Sequence, residues 1–151
     1  MDDIHFFLAH AITLERESAR RYEELAEAMR TLGSREVAEF FGRMAHYSRR
    51  HLADATARGG FHHPPELQPN DLRWPDGVSP EAAAWTGVDA FMDAASALRL
   101  ALDGERRGHA FYAGIAATTR NPRVQTLAQE FAAEEAGHVQ ELESMLSRQA
   151  A

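Results

Sequence analysis

The chain reads as an all-α protein, an antiparallel four-helix bundle made of two helical hairpins joined by a long crossover loop. Three observations predict it. The 151 residues are rich in Ala, Leu, Glu and Arg, which favour helix, and poor in Val and Ile. No stretch alternates apolar and polar residues over the length of a strand. Apolar residues instead recur at helical spacing in blocks bounded by Gly, Pro, Ser and Asn signals. The length suits a single domain, 1–151, large enough to bury a proper core.

The first helix is expected over about 3–31, with Phe7, Leu8, Ala11, Ile12, Leu14, Ala19, Tyr22, Leu25, Ala26 and Met29 as its buried stripe. Gly33 ends it and Ser34 is placed to cap the next. The second, over 35–58, carries Val37, Phe40, Phe41, Met44, Ala45, Tyr47 and Leu52 and stops at Gly59-Gly60. Ser79-Pro80-Glu81 combines an N-cap, a first-turn proline and a favourable acid, so a third helix is expected over 80–118. Asn121-Pro122 repeats the signal and opens a fourth over 122–148. Short turns within each pair make two antiparallel hairpins. The segment from Phe61 to Val78, with Leu67, Leu72 and Trp74, is long enough to run the length of the bundle and dock those side chains on the way.

Composition narrows the function. The net charge is −7, and Arg20-Arg21, Arg49-Arg50 and Arg106-Arg107 sit among acidic or apolar neighbours, so no concentrated basic face for nucleic acid is expected. Without cysteine there is no disulfide, thiolate zinc site or iron–sulfur cluster in this chain; a metal here must be held by oxygen and imidazole nitrogen. The N-terminal residues have no basic region ahead of an apolar core, and no apolar run approaches a membrane span, so the expectation is a cytoplasmic protein without a membrane role.

An internal repeat singles out a polar constellation. Glu15 followed by Tyr22 matches Glu105 followed by Tyr112 at a constant offset, and each Glu–Tyr pair shares one face of its helix, two turns apart. Both glutamates fall on the apolar side, where a carboxylate is costly unless it is paired, hydrogen-bonded or bound to a metal. Val37, Met44, Ala45 and His51 likewise match Val124, Phe131, Ala132 and His138. Glu135 and His138 stand at i and i+3, a spacing that lets both side chains reach one ion.

At these residues the sequence resembles the ferritin-like superfamily, and within it a rubrerythrin-type di-iron domain. The stretch from Ala11 through Glu15 to Tyr22 resembles the family's first ligand helix, the run from Phe131 to His138 resembles its Glu-x-x-His helix, and Leu72-Arg73-Trp74 leading to Ser79-Pro80-Glu81 looks like its crossover. The resemblance implies one Glu from each of two helices and a Glu-x-x-His from each of the others. Position by position, it makes Glu15, His51, Glu105, Glu135 and His138 metal ligands and finds Ser48 where a bridging carboxylate is expected. An asymmetric site follows, with Glu105, Glu135 and His138 the tighter half and Ser48 able to hydrogen-bond a water. Tyr22 and Tyr112 are expected to hydrogen-bond ligand carboxylates. His109, one turn after Glu105, is a candidate replacement ligand or a neighbour of the site. His10 and His46 are read as structural or surface residues, His62 and His63 as inert, and Phe40, Phe41, Phe111 and Phe131 as core.

The implied cofactor is iron, as a di-iron or mononuclear centre, with manganese or zinc as alternatives. The implied activity is iron oxidation or reduction of oxygen or peroxide, with an external electron donor because the chain carries no Cys-rich rubredoxin module. The alternative is a non-catalytic metal-binding or interaction bundle whose site has degenerated at Ser48. A homodimer is implied by resemblance alone.

Overall fold

A computed structural model describes residues 1–74, 77, 79–80 and 92–150. Among these residues are four long α-helices and one short 3₁₀ turn at Pro69–Asp71: α1 spans Ile4–Leu32, α2 Arg35–Arg58, α3 Ala94–Thr118 and α4 Pro122–Ala150. No strand occurs among the described residues. The contacts between helices fall overwhelmingly within the pairs α1–α2 and α3–α4, so the bundle is two hairpins laid together.

Local chemistry sets the boundaries. Asp3 caps α1 by accepting from the Phe6 N–H at 2.8 Å. Gly33, at φ 88°, closes α1: its N–H donates to Arg30 O and that of Ser34 to Met29 O, a turn that needs a left-handed residue. Ser34 occupies the cap position of α2 without a side-chain cap bond. Asn121 caps α4 as expected, its Oδ1 accepting from the Arg123 N–H at 2.9 Å.

Pro80 is helical, as the Ser79-Pro80 signal predicts. The helix α3 is described from Ala94, where Asp93 accepts from the Ser96 N–H at 2.8 Å. The part of the expected helix over 81–91 lies outside the described residues. Ser79 is buried, and its hydroxyl donates to the Glu17 carboxylate of α1, which anchors the crossover to the first helix.

The crossover is also held at its middle. Trp74 is buried, edge-on to His10 at 4.9 Å and to Phe111 at 5.1 Å between ring centroids. His10 is fully buried in α1 and uses both ring nitrogens: Nδ1 lies 2.9 Å from Phe6 O, and Nε2 accepts from the Arg73 N–H at 3.0 Å. These partners require a neutral ring with its proton on Nδ1. Burial pushes the His10 pKa below its ordinary value, in the same sense.

The core forms two apolar clusters along the bundle. One gathers Tyr22, Leu25, Met29, Phe41, Met44, Leu98 and Leu142; the other gathers Phe7, Ile12, Trp74, Phe111, Tyr112 and Phe131. Along α1 the second cluster ends at Leu14 and the first begins at Tyr22, leaving Glu15, Ser18 and Arg21 as the buried polar residues of the layer between them. Burial of large side chains on both sides, at about 1.5–3 kcal/mol each, offsets the cost of dehydrating that layer.

Candidate metal centre

All four helices contribute to the layer. Glu15 from α1, Glu105 from α3 and Glu135 from α4 are 6 %, 1 % and 3 % exposed, so three carboxylates lie out of water in a bundle interior. His51 of α2 and His138 of α4 are part-buried beside them, with rings stacked 5.4 Å apart and 16° from parallel. His138 Nδ1 lies 3.5 Å from Glu105 Oε2 and 3.8 Å from Glu135 Oε2. His51 Nδ1 lies 3.7 Å from Glu15 Oε1.

The structure thus brings all five expected ligand residues into one layer, in two unequal groups. Glu105, Glu135 and His138 offer ligand atoms that all lie within 4.8 Å of one another. Glu15 and His51 form a looser pair. Tyr22 donates to Glu105 Oε1 at 2.5 Å, from α1 into the opposite hairpin. Tyr112 is fully buried. His109 is only part-buried and does not join the cluster; Gly108 lies closer to it, since a Cβ built there would stand 3.5 Å from Glu135 Oε2. His46, His62 and His63 are exposed.

Ser48 is buried, one turn before His51, and hydrogen-bonds across the hairpin to Ser18 at 3.1 Å between hydroxyl oxygens. Sequence reading missed Ser18, although it stands three residues after Glu15 on the same face. It also missed Glu134, whose Oε2 lies 3.4 Å from His51 Nε2 at the edge of the layer. The signal for Glu134 was its place next to Glu135: one residue turns the side chain by about 100° on a helix, toward α2.

The electrostatics describe a site short of a cation. Burial works against charge on His51, but Glu15 and Glu134 outweigh it and raise its pKa above the ordinary value. Burial works the same way on His138 and is overcome mainly by Glu105. Burial pushes Glu105 up, yet Glu135, His138 and Tyr22 more than offset it and hold its carboxyl well below the usual range. Glu134 is raised, by burial first and then by the charge of Glu15. The neighbouring carboxylates thus favour the protonated form of both imidazoles.

The pairing is geometrically incomplete. His51 Nδ1 and Glu105 Oε2 are buried and make no well-formed hydrogen bond, their near neighbours being Glu15 Oε1 at 3.7 Å and His138 Nδ1 at 3.5 Å. A divalent cation replacing one proton from each imidazole would leave the net charge unchanged and give these atoms a partner. The donor set, carboxylate oxygen and imidazole nitrogen without sulfur, suits iron, manganese or zinc. The residues fit a metal. A separate cavity of about 840 Å³, lined by Phe6, Trp74 and Phe111, contains none of them.

Comparison with known proteins agrees with this architecture. A family model described as rubrerythrin matches residues 7–55, which include Glu15, Ser48 and His51. A solved structure titled as an uncharacterized conserved protein from Magnetospirillum magnetotacticum MS-1 is 37 % identical; the match covers 94 % of this chain and 92 % of that one, with a TM-score of 0.76. A search of curated proteins returned no match. No described helix is long and apolar enough to cross a membrane.

Proposed function

The chain belongs to the rubrerythrin family, and from that premise we propose that the polar layer holds iron and supports oxidation of iron or reduction of oxygen or peroxide. The observation that carries this reading is the buried cluster of Glu105, Glu135 and His138, with ligand atoms within 4.8 Å of one another. These three residues would hold the tighter position, and Glu15 and His51 would complete the other side. Bound iron would supply a redox couple and Lewis acidity in a site screened from bulk water.

The protein's own groups then have defined tasks. Tyr22 orients Glu105 through its hydroxyl. His51 and His138 give up protons when a cation enters, and Glu134, 3.4 Å from His51 Nε2 and part-exposed, offers the His51 proton a route to solvent. Electrons for a reductive cycle come from an external donor, since this chain has no cysteine to hold a rubredoxin-type centre. On family resemblance we take the protein to be a cytoplasmic homodimer, which sedimentation of the purified protein tests for assembly.

The deciding experiment is anaerobic loading with ferrous iron followed by exposure to oxygen. A ferric absorption band accompanying bound iron is expected; a flat spectrum with the iron left unbound overturns the reading. A second reading, metal binding without turnover, is favoured by Ser48, which withholds a carboxylate from the α2 side of the layer. Bound iron that consumes neither oxygen nor peroxide would select it.

A further inference from the structure

Past the polar layer, α3 turns one face toward a cavity of about 840 Å³. Arg107, Phe111 and Gly114 stand at i, i+4 and i+7 on that helix, so they share the face that borders it. Phe6 of α1 and the crossover residues Arg73 and Trp74 form the other walls. Those walls are held in place. His10 accepts the Arg73 N–H at 3.0 Å, and its ring meets Trp74 edge-on at 4.9 Å; Trp74 in turn meets Phe111 at 5.1 Å between centroids. The volume falls in the range of about 300–1,000 Å³ that small-molecule sites occupy.

A glycine keeps the space open. Gly114 lies inside α3, where glycine is a poorer helix former than alanine. Neither a left-handed backbone nor a close neighbour requires it there, since a Cβ built on Gly114 meets no atom within 4 Å. Gly104, on the same helix, is the opposite case: its Cβ would run into Arg21.

The charge left over at the cavity is positive. Asp2 and Asp3 border it, but Asp2 accepts from Arg120 Nε at 2.9 Å and Asp3 from the Phe6 N–H at 2.8 Å. Arg73 donates through Nη1 to the carbonyls of Asn70 and Leu72, at 2.8 and 3.0 Å, and these neutral acceptors do not cancel its charge. Arg107 spends Nε on Asp103 at 2.8 Å and keeps its terminal nitrogens for another acceptor.

We propose that this cavity binds a small aromatic anion, its planar ring against Phe6, Trp74 and Phe111 and its carboxylate or phosphate on Arg73 and Arg107. Aromatic walls favour a ring, which they meet edge-on or offset, and guanidinium forks match the paired oxygens of either head group. None of Glu15, His51, Glu105, Glu135 and His138 borders the cavity, so the proposal stands apart from the metal-centre reading.

The test is calorimetric titration of the metal-free full chain with 2-naphthoate, 2-naphthyl phosphate and the uncharged 2-naphthalenemethanol. Saturable binding is expected for at least one of the two anions, about tenfold or more tighter than for the alcohol; the tighter anion assigns the head group. Arg73→Gln, at an exposed position, should weaken that anion by about tenfold, and Arg73→Lys should recover part of the loss. Gly114→Leu puts a side chain into the cavity and favours helix, so it should abolish binding without lowering the melting temperature. Wild type that binds neither anion, anions held no tighter than the alcohol, affinity unchanged in Arg73→Gln, or binding that survives Gly114→Leu overturns the proposal. Because these titrations contain no metal, none of those results touches the metal centre, which ferrous loading tests by itself.

Discussion

The two hairpins are variations on one plan, and the layer between them shows where they diverge. The α3–α4 hairpin places Glu105, Glu135 and His138 in one cluster, cross-braced by the Tyr22 hydroxyl from the other hairpin. The α1–α2 hairpin keeps Glu15 and His51 but fills the intervening place with hydroxyls and looks outward to Glu134. Under the proposed function, the α3–α4 half would hold a cation by itself and the α1–α2 half would complete its surroundings. A duplicated scaffold can hold the fold constant while the charge of one half is retuned, because a Ser–Ser contact and a Gly–Glu contact occupy similar space.

The largest effect that tests this contrast is on metal affinity. Glu135→Ala with His138→Ala should weaken binding well beyond the roughly 10–100-fold that loss of an outer partner costs. Glu15→Gln with His51→Ala should cost less at the first equivalent of metal. Equilibrium titration with cobalt(II) checks both; equal losses would erase the distinction between the halves.

Next comes packing. Gly104 precedes Glu105, and a Cβ there would stand 2.0 Å from Nη1 of the fully buried Arg21. Gly104→Ala should therefore destabilise the fold by about 1–3 kcal/mol through overpacking. Gly108→Ala meets Glu135 only at ordinary contact distance and should change stability by about 1 kcal/mol or less. Urea denaturation of the metal-free proteins distinguishes the two glycines.

The acid–base behaviour sharpens the comparison further. His51 and His138 have raised pKa values, so their contribution to the metal-free fold is present below the unfolded value near 6.5 and is lost as pH rises through the folded values. Metal uptake must displace those protons, so affinity should climb with pH and level off above the folded values. Calorimetric binding in buffers of different ionisation enthalpy should reveal proton release at neutral pH. A pH-independent affinity would mean that the imidazoles are not ligands.

A smaller effect comes from His10, whose counterpart in the repeat is Leu100. Its pKa is depressed, so the stability that it contributes is present above about 6.5 and is lost as pH falls through its folded value. His10→Leu should cost about 1 kcal/mol at neutral pH, by removing the acceptor of the Arg73 N–H, and should flatten the acid side of the stability profile. Thermal melts across that range measure both.

Much of this was legible in the sequence because helix ends and buried faces are written locally. Gly33 and Asn121-Pro122 mark their turns through backbone chemistry that neighbours cannot override, and the Glu15/Tyr22 and Glu105/Tyr112 repeat pointed to the polar layer. The bond from the Ser79 hydroxyl to Glu17 joins partners distant in sequence, so no local pattern announces it. His10 reads from the sequence as structural or surface, and its partner Arg73 decides for structural. Ser18 and Glu134 were missed: each matters through what stands opposite it, namely Ser48 and His51, and spacing along one helix carries no information about the facing helix.

Asp2 ties the start of the chain to the turn between α3 and α4. Its carboxylate accepts from the Arg120 N–H at 2.8 Å and from Arg120 Nε at 2.9 Å, and its carbonyl accepts from Asn121 Nδ2 at 2.7 Å. These bonds join residues about 118 positions apart, in a molecule whose helix contacts are otherwise mostly within hairpins. Each hairpin can form by closing a short loop, whereas this link waits until both are in place. It therefore belongs to the end of the folding reaction. Asp2→Asn should speed unfolding while leaving the refolding rate nearly unchanged, which stopped-flow kinetics would show as a shift in one arm of the chevron alone. The order of assembly is thus set at the point where the chain's first residues meet its last turn.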